Sequence, residues 1–486
     1  AWAGMGGGIQ GVTSAEKAAL SPTNGDFVYD TDLSSLQRYN GSAWIDVAKG
    51  YGTIKVVTDS SSGVPSYFSD LQTALETCKA SGSNNVITIF SDIALSSEIV
   101  MNDGGTGVGN GYLFDNLTLN LNGFELSYNA VNSESVINAD LAGLTTTFTI
   151  QNGKVLRTSS SGGYALTVDA CTFRTENIEV EGNTGGLLLD STTNLGYLGN
   201  CKFISNGSNS AVNASGGDVY DFTAINTSSG EGFYYNRAGS IAKGFDSESD
   251  SGAGFRILNG SAFNFKAHSN SSYGIWHSTS SSIKLSIFEA SSNSSAGIRR
   301  SGYGSSQWDF SNFTVLNGGI QNNGSFTKAH FTNFNVFSDF NNALGGNVDN
   351  LSFYNGTFRN EGSFHAASVR LNNNFENVCF IGEDFEAVNF VDSGNVNNSV
   401  LKNCNFTCLL DTSSGHAIDV GGIDSGNADF MNCTFEVVNS GANCITASTA
   451  ETITVMNCSF KGATTAINAN VTITASSDES NGNRSI

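Results

Sequence analysis

Over most of the chain, apolar and polar residues alternate in short runs, and the runs recur at a spacing far longer than a heptad. The clearest unit is Asn-Cys-x-Phe, found at Asn200-Cys201-Lys202-Phe203, Asn403-Cys404-Asn405-Phe406, Asn432-Cys433-Thr434-Phe435 and Asn457-Cys458-Ser459-Phe460. Looser copies are Ala170-Cys171-Thr172-Phe173 and Asn377-Val378-Cys379-Phe380. Cys379, Cys404, Cys433 and Cys458 follow one another at 25, 29 and 25 residues. Alternation inside each unit makes it a strand with Cys and Phe turned inward. Recurrence at this period is the signature of a solenoid, in which each repeat buries its apolar face only against its neighbours.

A second column runs through the middle of the chain. Gly232-Phe233-Tyr234, Gly254-Phe255-Arg256, Gly274-Ile275-Trp276 and Gly297-Ile298-Arg299 recur at 22, 20 and 23 residues. It continues as Gly319-Ile320-Gln321, then Val369-Arg370, Val388-Asn389, Ile418-Asp419, Ile445-Thr446 and Ile467-Asn468. If Phe233, Phe255, Ile275 and Ile298 point inward, then Tyr234, Arg256, Trp276 and Arg299 point outward on adjacent coils, about 4.8 Å apart. The pattern predicts an all-β chain whose body, residues 91–470, is a right-handed parallel β-helix. Roughly 380 residues in coils averaging about 24 make roughly 16 coils and a rod of about 75–80 Å.

Two segments before the body follow other rules. In residues 1–50, Gly25 to Asp32 and Leu36 to Val47 read as short strands with turns at Asp32 to Ser35 and at Asn40-Gly41, since Asn-Gly tolerates the positive φ of a hairpin turn. This segment is too small to bury much by itself and predicts an attachment module packed on a neighbour. In residues 51–90, Phe68, Leu71, Ala74, Leu75 and Cys78 fall on one face of a helix spanning 66–80, ended by Ser81 and Gly82 and followed by a strand at Val86 to Phe90. A solenoid needs its first open coil covered, and this helix is placed to cap it. Residues 471–486 read as a polar tail.

Composition narrows the class. The chain has 56 Gly, 2 Pro and 33 Phe against 4 Trp, so its apolar material comes as evenly spaced anchors, unlike a disordered Ser/Gly-rich chain. The net charge is −22 and the longest basic run is Arg299-Arg300, which argues against nucleic acid as a partner. No stretch of about 18 apolar residues is present to cross a membrane. The nine cysteines are odd in number and lack a CxxC zinc pattern, so they read as buried thiols. Nothing in the pattern calls for a cofactor.

The order of these parts resembles the tailspikes and receptor-binding fibres of tailed bacteriophages. Gly25-Asp26 through Tyr29-Asp30-Thr31-Asp32 to Tyr39-Asn40-Gly41-Ser42-Ala43-Trp44-Ile45-Asp46-Val47 is similar to a short module of phage fibres. Asp70-Leu71-Gln72-Thr73-Ala74-Leu75 before Val86 to Phe90 resembles the helix that opens a pectate-lyase-like β-helix, and the Asn-Cys-x-Phe coils resemble its body. The resemblance implies a homotrimer on the virion surface, joined to other virion proteins by its N-terminal module and binding or cleaving a host surface polysaccharide. The chain departs from larger tailspikes in having no evident C-terminal trimerisation domain after Ile467.

Candidate chemistry is sparse. Asp246, Glu248 and Asp250 alternate and so share one face, which would suit calcium, although a solvated turn is the more frequent reason for such a run. Glu383-Asp384-Phe385-Glu386 is similar. Asp309 would lie beside Lys284 of the preceding coil as a surface ion pair, and His277 is a candidate base, although a lone His has a structural role more often than not. None of these makes the paired carboxylates of a glycosidase. The Tyr234, Arg256, Trp276, Arg299 column is the better candidate, because aromatic rings pack on sugars and Arg donates paired hydrogen bonds. A subunit interface would be enriched in the same residues. The expected function is therefore a glycan-binding virion spike subunit, with a glycan-degrading tailspike or polysaccharide lyase and a bacterial adhesin as the alternatives.

Overall fold

The computed structural model describes residues 11–473 and 484–485, except 25, 33–34, 47–52, 59–64, 79–83, 103–114, 131, 142–146, 170, 191–195, 303–305, 323–325, 340–342, 347–350, 363–364, 370–372, 384–386, 391–397, 422–426 and 448–449. The Gly-rich start, the Ser81-Gly82 helix stop, Asp384 to Glu386 and most of the polar tail lie outside the described residues.

The body is a parallel β-solenoid. One ladder shows its continuity: Ile99, Ile137, Leu166, Leu187, Val212, Phe233, Phe255, Ile275, Ile298, Ile320, Leu344, Ala367, Val388, Ile418, Ile445 and Ile467 pair in sequence, each on the next coil. All but Ile467 are buried. A representative coil starts with Phe255-Arg256-Ile257, bends at Gly260, runs through Ser261 to Phe263, turns a corner at Asn264, continues from Phe265 to Ser269, and passes through a turn into Gly274.

The corner explains the Asn of the repeat. Among the described residues, fourteen non-glycine residues have positive φ; twelve are Asn, and nearly all sit at this corner of successive coils. Asn enters the left-handed region at low cost because its short amide bonds locally. The amides also bond from coil to coil: Asn200 Nδ2 donates to Asn177 Oδ1 at 2.8 Å, Asn333 to Asn312 at 2.9 Å and Asn457 to Asn432 at 2.7 Å. Two copies of the unit are out of register. Cys379 follows the inward Val378 and is only partly buried, so the 25-residue step to Cys404 mixes two faces. Phe173 pairs with Phe148 on the strand before the corner, not with Phe203 after it. The period belongs to the corner Asn, not to the Cys.

After the corner comes a column of stacked rings. Phe222, Phe245, Phe265, Phe288, Phe313 and Phe334 lie nearly parallel, with successive centroids 5.4, 4.7, 5.1, 4.9 and 5.7 Å apart. Offset pairs of this kind add about 0.5–1.5 kcal/mol each beyond burial. At the end of the same strand the inward positions turn polar: Ser249 and Ser269 are buried and donate to the carbonyls of Gly230 and Gly252, each at 2.7 Å, while Ser292 donates to Ser272. These hydroxyls satisfy turn carbonyls that would otherwise be buried unpaired. Buried Arg157 does the same farther up, donating to the carbonyls of Asn132, Glu134 and Ser161 at 2.7, 2.7 and 2.9 Å.

All nine cysteines are free thiols, and all but Cys379 are buried. Burial raises the thiol pKa of Cys78 and Cys171 to about 12, so both stay protonated.

Before the body, β1 (Gly11–Val12), β2 (Phe27–Asp30), β3 (Ser35–Tyr39) and β4 (Trp44–Asp46) form a separate four-stranded sheet in that order. The β3–β4 connection spans Asn40 to Ala43, where Asn40 Oδ1 accepts from the backbone N–H groups of Ser42 and Ala43 at 3.0 and 2.8 Å. A short helix unforeseen from the pattern, α1 (Ser14–Ala18), is closed by a Thr13–Glu16 capping box. Its Lys17 pairs with the buried Asp30.

Next come β5 (Ile54–Thr58), β6 (Ser66–Phe68), α2 (Leu71–Cys78) and β7 (Asn84–Ile89). The helix is shorter than the apolar spacing predicts. Asp70 accepts from the Thr73 backbone N–H at 2.7 Å and starts it, while Phe68 reaches the core from a strand antiparallel to β5. Leu71, Ala74, Leu75 and Cys78 are buried in the same core as the coils, as their spacing predicts. No helix among the described residues is long and apolar enough to cross a membrane.

Candidate functional site

The outward column is in register. Asn213, Tyr234, Arg256, Trp276, Arg299 and Gln321 pair in that order on six successive coils. The inward neighbours Phe233, Phe255, Ile275 and Ile298 are buried, whereas Tyr234, Arg256, Trp276 and Arg299 are half-buried. The glycine opening each strand is forced by packing: at Gly254 a Cβ would sit 2.4 Å from the His268 carbonyl oxygen.

Stacking along the rod sets the chemistry. The Arg256 guanidinium lies 5.4 Å from the Tyr234 ring centre and 4.2 Å from that of Trp276. Arg299 lies over Tyr273 at 4.6 Å and bonds its hydroxyl. Because coils are stacked, ring faces look along the rod and meet neighbouring guanidinium groups, so the Arg256-facing side of Trp276 is not an open platform for a sugar. Trp276 Nε1 donates to Ser301 Oγ at 2.8 Å, and Arg256 Nη1 donates to Glu231 Oε1 at 2.8 Å. Three buried polar atoms of this one column have no hydrogen-bond partner among the described residues: Asn213 Oδ1, Arg256 Nε and Arg299 Nε.

Glu231, Tyr273 and Asn213 were not singled out by the repeat. Glu231 and Tyr273 stand two residues before the inward Phe233 and Ile275, where neighbouring coils place buried Ala253 and Ala296. A large polar residue beside a coil that carries Ala at the same position was the available signal. Asn213 carried none, because Val212 lacks the preceding Gly.

The other candidates separate. Asp246, Glu248 and Asp250 do share an outward face after the corner, but successive outward positions on a strand are about 6.8 Å apart. No group of three His, Cys, Asp or Glu side chains among the described residues converges as a metal cage, and this trio is no exception. Asp246 instead sits opposite Lys266, and Asp250 accepts from Asn270 at 2.8 Å. His277 is no surface base: it is buried, its Nδ1 accepts from Trp308 Nε1 at 3.1 Å, and its Nε2 faces Thr279 Oγ1 at 3.2 Å. Lys284 and Asp309 are paired in register at 3.3 Å, as expected. Glu383 pairs with Arg359.

One corner breaks the Asn rule with strain. Ile287 has φ +52° and is 55% exposed. A β-branched residue in the left-handed region costs roughly 1–2 kcal/mol, and an exposed side chain recovers little of that. Ile287→Asn should therefore stabilise the chain by about 1 kcal/mol, read as a raised thermal midpoint. A neutral or lowered midpoint would mean that Ile287 is held by packing.

Compared with known proteins, the chain matches no family model, no curated protein sequence and no solved structure. What the fold and the column define is a class: an all-β parallel solenoid with a partly exposed Tyr/Arg/Trp/Arg stack on one face.

Proposed function

We propose that this chain is a receptor-binding subunit of a bacteriophage spike or fibre, displayed on the virion surface and holding a host surface glycan on the Asn213 to Arg299 column. The observation that carries the reading is the outward register of Tyr234, Arg256, Trp276 and Arg299, half-buried aromatic and guanidinium groups stacked on successive coils. The exposed edges of such rings and guanidinium groups suit sugar C–H faces, sugar hydroxyls or a sugar carboxylate. In this reading the solenoid is a right-handed, pectate-lyase-like β-helix, α2 caps its first coil, and the β1–β4 sheet attaches the subunit to the virion. The subunit is a homotrimer.

Light scattering should give about three times 50.9 kDa, and a monomer at micromolar concentration would sink the trimer. On an array of capsular and lipopolysaccharide glycans, Trp276→Ala and Arg299→Ala should weaken binding by about tenfold or more, or about 1.4 kcal/mol. If the same variants loosen the trimer and leave glycan binding unchanged, the column is a subunit interface. Release of new reducing ends or unsaturated products from the bound glycan would make the chain a depolymerase.

A further inference from the structure

A hydroxyl, an imidazole, an amide and a carboxylate are joined by hydrogen bonds across three successive coils. Ser291 Oγ lies 2.8 Å from His268 Nδ1, His268 Nε2 lies 3.1 Å from Asn270 Oδ1, and Asn270 Nδ2 donates to Asp250 Oδ1 at 2.8 Å. Register brings them together. Glu248, His268 and Ser291 are paired outward positions of adjacent coils, and Asp250 and Asn270 follow Glu248 and His268 by two residues. Asp250, His268, Asn270 and Ser291 are all half-buried. The corner amides bond like to like, whereas this chain has a direction. The Asp250 carboxylate only accepts, so it takes an Asn270 N–H and turns Oδ1 towards the ring. That Oδ1 also accepts from Asn293 Nδ2 at 2.9 Å, so it faces donors alone and takes the Nε2 hydrogen of His268. Nδ1 is then bare and accepts the Ser291 O–H. Asn293 Nδ2 approaches Nε2 at 3.5 Å, but in this tautomer both are donors and no bond forms, so one Asn293 N–H remains for another acceptor.

A hydroxyl on a bare imidazole nitrogen, with the other ring N–H held by an oriented acceptor, is the order of nucleophile, base and orienting group that acyl transfer uses. Beyond Ser291 the same column turns apolar. Val315 pairs with Ala290, and the Leu316 N–H donates to the Ala290 carbonyl at 3.0 Å, which sets Leu316 beside Ser291 on the next coil. Leu316 is 49% exposed, and half-buried Phe337 follows it one coil on. A Leu this exposed contributes little to the core, but with Phe337 it gives an apolar strip that begins next to Ser291.

We infer that Ser291 and His268 form a hydrolytic site for carboxylic esters with a short aliphatic acyl chain, which lies on Leu316 and Phe337. Ser291 Oγ attacks the ester carbonyl carbon while its proton passes to His268 Nδ1. The bond from that carbon to the alcohol oxygen breaks, and the alcohol leaves with the proton from Nδ1. Water then attacks the acyl carbon and gives a proton to Nδ1; the bond to Oγ breaks, Ser291 recovers the proton, and a carboxylic acid departs. The remaining Asn293 N–H is the donor offered to the oxyanion. Asn270 and Asp250 are positioning residues that fix the tautomer. No step uses the Tyr234 to Arg299 column, which lies on a different strand of each coil. The test gives the full chain p-nitrophenyl acetate and butyrate and, separately, a fluorophosphonate, which phosphonylates an activated serine with loss of fluoride. Both esters should turn over, with kcat/KM about fivefold higher for butyrate. The fluorophosphonate adduct should fall on the peptide containing Ser291. Ser291→Ala and His268→Gln should each lower kcat by about a hundredfold or more and abolish the adduct. Asn270→Ala should lower kcat by about tenfold or more at unchanged KM. Leu316→Ser should bring the preference for butyrate below about twofold. Circular dichroism and thermal midpoints close to those of the parent chain separate lost chemistry from lost fold, and the adduct on the unaltered chain needs no variant. Turnover no greater than that of Ser291→Ala, or an adduct found only on other residues, would overturn the site. Glycan binding is read separately on the array, so either reading can fail without the other.

Discussion

Phe255→Ala should destabilise the chain by about 3–5 kcal/mol, the cost of emptying a fully buried Phe site. Phe255 has no exposed surface and stacks on Phe233 at 5.1 Å, with Phe245 and Phe265 edge-on at 5.0 and 5.3 Å. A thin solenoid core offers few side chains to collapse into the gap, because each coil is packed only by the coils above and below. Trp276→Ala, one coil on and facing outward, should cost less, about 1–2 kcal/mol. It loses the Arg256 stack and the bond to Ser301, but Arg256 keeps its ion pair with Glu231. That exceeds the roughly 0.5 kcal/mol of a freely exposed position, because Trp276 is half-buried. Denaturant midpoints of the two variants compare them directly. Equal losses would mean that Trp276 belongs to the core and that the outward column is misassigned.

Acid should weaken the fold through His277. Burial, with the charge of Arg300 beside it on the next coil, lowers the His277 pKa from 6.5 to about 4. The unfolded chain then binds this proton more readily than the folded one, so the stabilisation is complete above the unfolded value and is lost as pH falls through the folded one. The loss should be about 2 kcal/mol between about pH 7 and pH 5, approaching about 3 kcal/mol below about pH 4. The neutral ring is used in full: Nδ1 accepts from Trp308, and Nε2–H donates to Thr279, whose hydroxyl donates to the Leu258 carbonyl at 2.6 Å. His277→Gln keeps an acceptor and a donor but cannot titrate. Its denaturant midpoint should fall less steeply between pH 7 and 5 than that of the parent chain. Parallel slopes would place the acid sensitivity in the carboxylates instead.

The sequence by itself determined the parallel solenoid, the inward and outward assignment of Phe255 and Trp276, and the register of Tyr234, Arg256, Trp276 and Arg299. Side-chain direction in a strand has a period of two, and a ladder brings equivalent positions of neighbouring coils together, so these follow from spacing alone. Spacing also placed Lys284 beside Asp309. It misjudged Cys379, because a Cys next to a Phe looks the same one residue out of phase, and only the left-handed corner at Asn377 fixes the phase. It made the helix too long, because Phe68 suits a helix face and a strand equally and the Asp70 cap decides between them. Spacing left His277 between a candidate base and a structural histidine, because its partner, Trp308, is distant in sequence and meets it only through the core. The ring faces closed by guanidinium groups, the unpartnered atoms at Asn213, Arg256 and Arg299, and the strained corner at Ile287 were decided by tertiary structure alone. Each depends on which side chains of different coils share space, and a one-dimensional period carries no record of that.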